Sequence, residues 1–310
     1  MKVCISVDMD NYAEYSRLVD PSGSEEGPSF YDAVPRFLDL FDQYGLKATF
    51  FMVGRDGHTP AHRDWVREIA NRGHEIGNHS YTHPYNFRQL DRGGREQEIA
   101  ETEKVIEDIT GAKPVGFRTP SGDLDTDTLS MLSERGYEYE SCIFPTPLMW
   151  AFMLYGKLFI RENDYSLGEW SAIFAPPRPY IPCADRLHRE RRADDDAPPI
   201  VEIPLSVVPG LRIPFYNTLL RLMGRRAFDA CIRAYGRRHS SLQVLMHLID
   251  LVDLEGTSLG SAISKSPGLG VPFERRERFA HHLMGRLAEL GEPATLREIA
   301  GDHRRQVGLA

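Results

Sequence analysis

The chain is poor in cysteine, and its four cysteines are not arranged for a disulfide or a metal site. They lie far apart and include no Cys-x-x-Cys pair: Cys4, Cys142, Cys183 and Cys231. This excludes the spacing typical of a structural zinc site and gives no sign of a disulfide framework. We expect four reduced thiols, most of them buried.

The chain also lacks an excess of positive charge and a long apolar run. Its formal net charge of −8 argues against a nucleic-acid partner, because phosphate binding needs a basic face. Residues 1–6 lead directly into a strand-like pattern, without the apolar core or cleavage site of a signal peptide. The apolar stretch at 147–160 is shorter than the roughly 20 residues that a membrane span needs. We expect a cytoplasmic protein, with peripheral contact at the inner face of the membrane left open.

What the sequence does contain is an alternation of strand-like and helical patterns. Short runs rich in β-branched and aromatic residues precede longer amphipathic runs, and a glycine closes four of the helical runs, where a left-handed cap is wanted. The alternation predicts an α/β fold, a parallel sheet or barrel, as one domain over residues 1–310. The predicted strands are 2–8, 47–53, 75–79, 115–119, 137–143, 200–208 and 242–248. The predicted helices are 31–44, 62–71, 95–110, 126–135, 215–237 as one or two helices, 274–290 and 295–300.

Residues 144–199 interrupt this alternation. They contain the apolar, aromatic stretch at 147–160 and a charged, proline-rich run at 185–199. We predict an insertion that acts as a lid over the mouth of the site, and a lid that faces lipid is the alternative. A basic region at 221–238 is expected to form a solvated face.

Two short segments carry the candidate chemistry. Asp8 and Asp10 lie two residues apart at the end of a predicted strand, so their side chains share one face. His79 and His83 lie four apart after another strand, a spacing at which two imidazoles can meet on one metal. Taken singly, the aspartates could be structural and the histidines could belong to a hydrogen-bonded turn. Together they offer two carboxylates and two imidazoles for one divalent metal.

Two further residues follow predicted strands. Arg118 can hold a neighbouring carboxylate by a bidentate pair, or form an ordinary strand-end salt bridge. His247 lies in an apolar strand, where a satisfied core histidine is the alternative. His58 and His62 repeat the four-residue spacing with no strand end nearby, and we expect them at the surface.

In their order and positions, these motifs resemble the NodB-type polysaccharide deacetylase family, also called family 4 carbohydrate esterases. The first motif, Asp-Met-Asp at 8–10, spaces its carboxylates by two residues, as in a subgroup similar to cytosolic deacetylases, deformylases and related C–N hydrolases. The other matches are His-Ser-x-x-His at His79, Ser80 and His83, Arg-x-Pro-x-Gly at Arg118, Pro120 and Gly122, and a late Leu-x-His strand at Leu245 and His247.

The resemblance implies a distorted (β/α) barrel with defined roles for its site residues. It places Zn²⁺, or another divalent transition metal such as Co²⁺, on Asp10, His79 and His83. It makes Asp8 the general base, oriented by Arg118, and His247 the general acid. It also assigns substrate binding to Pro120, Ser121 and Gly122, with Ser121 where many members carry an aromatic residue.

The sequence therefore predicts a metal-dependent hydrolase that removes an acetyl or formyl group from an amino sugar. The apolar insertion motivates a lipid-linked glycan precursor as substrate, and a nucleotide-linked one is the related version. A hydrolase of small cyclic amides or ureides and a non-catalytic carbohydrate-binding barrel remain as alternatives. No group that supports His247 is evident, because Asp250 has the opposite strand parity. The oligomeric state is not predicted.

Overall fold

A parallel sheet organises the chain in its computed structural model, which describes residues 1–19, 26–148, 168–192, 198–236, 239–263 and 270–309. In this part of the chain the strands run in the order β6-β5-β4-β3-β2-β1-β7, and β8 pairs with the start of β1. The strands are β1 Lys2–Asp8, β2 Ala48–Met52, β3 Glu75–Asn78, β4 Gly116–Phe117, β5 Tyr139–Glu140, β6 Val201–Glu202, β7 Ser241–His247 and β8 Glu292–Pro293.

The two ends of this sheet are joined by a connecting segment. The N–H of Phe215 donates to the carbonyl of Ser206 after β6 (2.8 Å), and the carbonyl of Phe215 accepts from the N–H of Leu245 in β7 (2.9 Å). This backbone bridge fills the gap between the edge strands, so the sheet curls toward closure. The predicted distorted (β/α) barrel is confirmed.

Ten α-helices pack around the sheet in the described residues. Three of them depart most from the prediction: the short α1 and α8 were missed, and the last helix continues past residue 300 to Gln306. The region 215–237, predicted as one or two helices, is two helices separated by Gly224. The helices are α1 Tyr12–Val19, α2 Val34–Tyr44, α3 Pro60–Asn71, α4 Arg92–Thr110, α5 Thr126–Glu134, α6 Asn217–Met223, α7 Arg225–Tyr235, α8 Ser258–Ile263, α9 Phe273–Leu290 and α10 Leu296–Gln306.

Helix α2 shows how the amphipathic pattern becomes packing. Phe37 and Phe41 lie four residues apart on one helical face and are fully buried. Both rings pack edge-on against Phe50 of β2, with centroids 6.3 and 5.9 Å away. Gly45 ends the helix at φ 62°, the left-handed conformation expected of a C-terminal glycine.

The predicted insertion is described only in part. Its residues 168–192 pack beside the sheet, where Tyr180 pairs antiparallel with Glu202 of β6. The apolar stretch lies outside the described residues from 149 onward, so the lid stays a prediction. Among the described residues, no helix is long and apolar enough to cross a membrane. None of the four cysteines forms a disulfide, and all four are buried, as expected.

Two side chains expected at the surface are buried instead. Because α3 begins at Pro60, His62 falls on its inner face, stacks on Tyr31 at 4.0 Å and hydrogen-bonds to the hydroxyl of Ser29 (2.7 Å). Arg221 in α6 forms a buried ion pair with Asp250 (2.9 Å). The last two arginines of that basic region lie outside the described residues.

A pair of buried carboxyl groups lies between β5 and β6. Glu140 and Glu202 are opposite each other in the register and fully buried. Glu140 accepts the N–H of Cys142 (3.0 Å), and Glu202 accepts that of Ile143 (3.1 Å). Burial raises the pKa of both groups, and the neighbouring Glu140 raises that of Glu202 further, well above its usual range. A proton shared between the two carboxyl groups follows from this geometry.

Glu202→Gln should therefore stabilise the fold at alkaline pH. When the pKa of a carboxyl group is raised in the folded state, the group makes its full contribution to the stability of the fold at pH values below its unfolded-state pKa. This contribution is lost as the pH rises through the folded-state pKa. We expect the Tm difference from wild type to be small near pH 4 and to grow with pH, by about 2–4 °C for each kcal/mol gained. Thermal unfolding from pH 4 to 9, with the exposed Glu134→Gln as control, measures it. A difference that does not change with pH would contradict the shared proton.

Candidate active site

The six predicted catalytic and metal-binding residues come together at one edge of the sheet. Each lies at, or a few residues after, the carboxyl end of a strand, and parallel strands direct those ends to the same side. Asp8 ends β1 with Asp10 two residues on, His79 and His83 follow β3, Arg118 follows β4, and His247 ends β7. In the register, Asp8 lies directly opposite His247.

Asp10, His79 and His83 form a buried three-residue cluster. Their ligand atoms all lie within 4.8 Å of one another. Oδ1 of Asp10 is 3.3 Å from Nε2 of His79 and 3.4 Å from Nε2 of His83, yet it accepts no hydrogen bond from any described residue. A buried carboxylate oxygen facing two imidazole nitrogens is a donor set that suits a divalent transition metal. The residues therefore fit the predicted ion.

Protonation of the two rings is set by their surroundings. Nδ1 of His79 is 2.8 Å from the carbonyl of Arg118, which can only accept, so Nδ1 carries a proton. Burial lowers the pKa of His83 to about 3, which keeps this ring neutral. Burial also acts to lower the pKa of His79, but the carboxylates of Asp8 and Asp10 outweigh it and raise that pKa. A proton and a cation therefore compete for Nε2 of His79.

Asp10 keeps its charge in this environment. Burial acts to raise its pKa, but His83, His79 and His247 together outweigh burial and hold the pKa below the usual range. The acidic member of the cluster is thus a carboxylate at neutral pH, as a metal ligand must be.

Asp8 is held by Arg118. Nη1 of Arg118 donates to Oδ1 of Asp8 at 2.6 Å. The contact is single and not the predicted bidentate pair, because Nε and Nη2 are bound to the carbonyl and hydroxyl of Ser141 (2.8 and 2.9 Å). The guanidinium also lies over the ring of Phe51, 4.3 Å from its centroid. These contacts fix the orientation of Asp8.

Sequence reasoning missed a support for Arg118. The side-chain amide of Gln243 in β7 is fully satisfied when Oε1 accepts from Nη2 of Arg118 (2.5 Å) and Nε2 donates to the carbonyls of Ile203 and Pro204 (3.3 and 3.2 Å). The amide thus connects the arginine to the gap between β6 and β7. A polar residue inside an otherwise apolar strand was the available signal.

His247 lies across from Asp8 with its ring partly accessible. Its Nε2 is 3.7 Å from Oδ2 of Asp8 and 4.0 Å from Oδ2 of Asp10. The ring of Tyr216 packs edge-on against it, with centroids 5.7 Å apart. Because β7 ends at His247 and the chain turns, the carboxylate of Asp250 accepts the backbone N–H of His247 (3.1 Å). Tyr216 is therefore the aromatic neighbour of the ring.

The loop after Arg118 is tightly constrained. Ser121 has φ 56° and Gly122 has φ 65°. A Cβ on Gly122 would lie 2.6 Å from the carbonyl oxygen of Cys142, so only glycine fits. Of the three predicted substrate-binding residues, Pro120 and Gly122 are buried and Ser121 is partly accessible. Substrate binding by this loop stays a prediction, with Ser121 as its accessible side chain.

Comparison with known proteins finds a family similarity over part of the chain. Residues 25–140 match the family model described as polysaccharide deacetylase. Over 113 residues the chain is 32% identical to a peptidoglycan-N-acetylglucosamine deacetylase of Bacillus cereus, covering 36% of this chain and 40% of the relative. Over 134 residues it is 28% identical to a peptidoglycan deacetylase of Helicobacter pylori, covering 43% and 44%. Residues 25–140 are therefore similar to the polysaccharide deacetylase family, the family that the motifs resemble.

The sequence similarity covers less than half of this chain, whereas the similarity of fold covers all of it. The chain spans less than half the length of these two curated relatives. The whole chain superimposes on 92% of a crystal structure from Mycobacterium smegmatis, whose protein is assigned to the polysaccharide deacetylases. The TM-score is 0.57 and the sequence identity is 20%, so this likeness shows the fold. The matched range contains His79, His83 and Arg118, whereas Asp8, Asp10 and His247 lie outside it and join the site through β1 and β7.

Proposed function

We propose that this protein is a metal-dependent hydrolase that removes an N-acyl group, acetyl or formyl, from an amino sugar. The observation that carries the proposal is the buried Asp10, His79 and His83 cluster beside an aspartate that Arg118 orients. The similarity of residues 25–140 to the polysaccharide deacetylase family supports an N-acetylated sugar as substrate. The Asp-Met-Asp spacing supports the subgroup that includes deformylases.

Asp10, His79 and His83 would hold the ion, Zn²⁺ or another divalent transition metal such as Co²⁺. Such an ion polarises an amide carbonyl and lowers the pKa of a bound water. Asp8 accepts the proton of the attacking water, because Arg118 occupies its Oδ1 and Oδ2 faces into the site. His247 donates a proton from Nε2 to the departing amine. The products are a free amine and a small carboxylic acid.

The finer substrate assignment is a lipid-linked glycan precursor, with a nucleotide-linked one as its related version. The sequence at 147–160 is apolar and aromatic. The described residues on its two sides both approach the site loop. A Cβ on Gly122 would lie 3.3 Å from the ring of Phe144, and a Cβ on Gly168 would lie 3.1 Å from the carbonyl oxygen of Gly122. A cytoplasmic location with peripheral contact at the membrane belongs to the same assignment, and cell fractionation checks it.

Metal analysis combined with a product assay tests the proposal. We expect about one equivalent of transition metal in the purified protein, and release of acetate or formate from N-acyl amino sugars supplied free and lipid-linked. Stimulation of the lipid-linked reaction by detergent or vesicles would support the finer assignment. Failure to take up added Zn²⁺ or Co²⁺ would favour a non-catalytic carbohydrate-binding barrel. Bound metal with turnover of cyclic amides or ureides alone would contradict the sugar substrate.

A further inference from the structure

The turn between the two metal-binding histidines is held by one carboxylate outside the cluster. Glu98 lies in α4, more than ten residues further along the chain. Its Oε2 accepts the backbone N–H groups of Tyr81 and Thr82, each at 2.8 Å, and its Oε1 accepts the hydroxyl of Thr82 at 2.7 Å. One side chain thus satisfies three donors of a five-residue turn.

The turn needs such support because its backbone is strained. Ser80 and His83 have φ values of 63° and 55°, in the left-handed region that residues with a Cβ rarely adopt. Conformations of this kind persist only where the surroundings fix them. Arg17 of α1 holds the same turn by donating to the carbonyls of Thr82 (3.2 Å) and His83 (3.4 Å). The turn is therefore fixed from two helices.

The strained turn decides where the two imidazoles point. His79 and His83 present Nε2 to the same oxygen of Asp10, at 3.3 and 3.4 Å, only while the residues between them keep this path. If Tyr81 and Thr82 lost their acceptor, their N–H groups would seek water and the turn would relax toward ordinary φ values. The separation of the two nitrogens would then no longer be set.

We propose that Glu98 is a positioning residue for the metal site: it holds the turn that places His79 and His83, without contributing a ligand. This inference rests on the proposed function only in requiring that the cluster binds a divalent metal. It predicts a loss of metal affinity of the size seen when outer supports of metal ligands are removed, about 10–100-fold.

The test is the affinity of the full chain for Zn²⁺ and Co²⁺, measured by chelator competition. Glu98→Ala should weaken binding by about 10–100-fold and change the visible absorption of the Co²⁺ form. Glu98→Gln should restore most of the affinity, because its amide oxygen can accept the same two N–H groups. Glu101→Ala is the matched control. Glu101 lies on the same helix as Glu98, but its carboxylate pairs with Lys104.

The possible outcomes separate the inference from the proposed function. A wild type that binds metal, together with a Glu98→Ala variant that binds equally tightly, would overturn the inference alone. A wild type that binds neither ion would overturn both. If Glu98→Ala does not fold, Thr82→Val removes only the hydroxyl donor and should weaken binding by about 2–10-fold. Unchanged affinity in Thr82→Val would then count against the inference.

Discussion

Replacing Asp8 by asparagine should abolish turnover while the protein keeps its metal. An amide cannot accept the proton of the attacking water, whereas its oxygen can still accept the Nη1 hydrogen bond of Arg118, so the geometry should be preserved. We expect kcat to fall by at least about 10²–10⁴-fold, the contribution typical of a general base. The measurement is kcat with an N-acyl amino sugar, alongside metal content of the same sample.

The control for this variant is Asp64→Asn, which removes an exposed carboxylate of α3 that pairs with Arg67. It should leave both kcat and metal content unchanged. Full activity in Asp8→Asn would exclude the base assignment. Loss of metal in Asp8→Asn would instead show that Asp8 acts as a ligand.

The double variant His79→Ala/His83→Ala should lose metal binding altogether. It removes two of the three clustered ligands and leaves Asp10 as a single carboxylate, which cannot retain a transition metal alone. We expect metal content to fall from about one equivalent to near zero, and hydrolysis to fall with it. Elemental analysis and the product assay on the same preparation measure both effects.

Two histidines outside the cluster supply the control for this variant. His58 hydrogen-bonds to the hydroxyl of Tyr81 at the exposed surface, and His282 of α9 pairs with Asp229 of α7. His58→Ala/His282→Ala should retain the full equivalent. Retention of metal by the His79→Ala/His83→Ala variant would place the binding site elsewhere in the chain.

Much of the fold was predictable because it depends on local pattern. Strand β1 was predicted with its observed limits, since alternating apolar residues mark its buried face and Asp8 ends it. The short β8 and helix α1 were missed because a two-residue strand and an eight-residue helix carry little periodic signal. Their positions depend on pairing with β1 and on packing, which are not local properties.

The same distinction separates the site residues. Strand parity and the spacing of His79 and His83 predicted that two carboxylates and two imidazoles could meet on one metal, because each pair is close in sequence. The choice of Asp10, His79 and His83 as the ligands came from the family resemblance. Glu98 reads as one more acidic residue of a charged helix, and only its distance to the turn distinguishes it. The single contact between Arg118 and Asp8 also could not be predicted from the sequence. It depends on Ser141, which accepts hydrogen bonds from the other guanidinium nitrogens of Arg118.

The pairing of β1 with β7 has a consequence for the order of events during synthesis. Asp8 and His247 are neighbours in the register although 239 positions separate them, and β1 takes its place between β2 and β7. Contacts of such long sequence separation form late and slowly, because the intervening chain must first be gathered. A growing polypeptide can therefore collect both imidazoles and both aspartates early, yet it lacks His247, the proposed proton donor, until the seventh strand leaves the ribosome and pairs with the first.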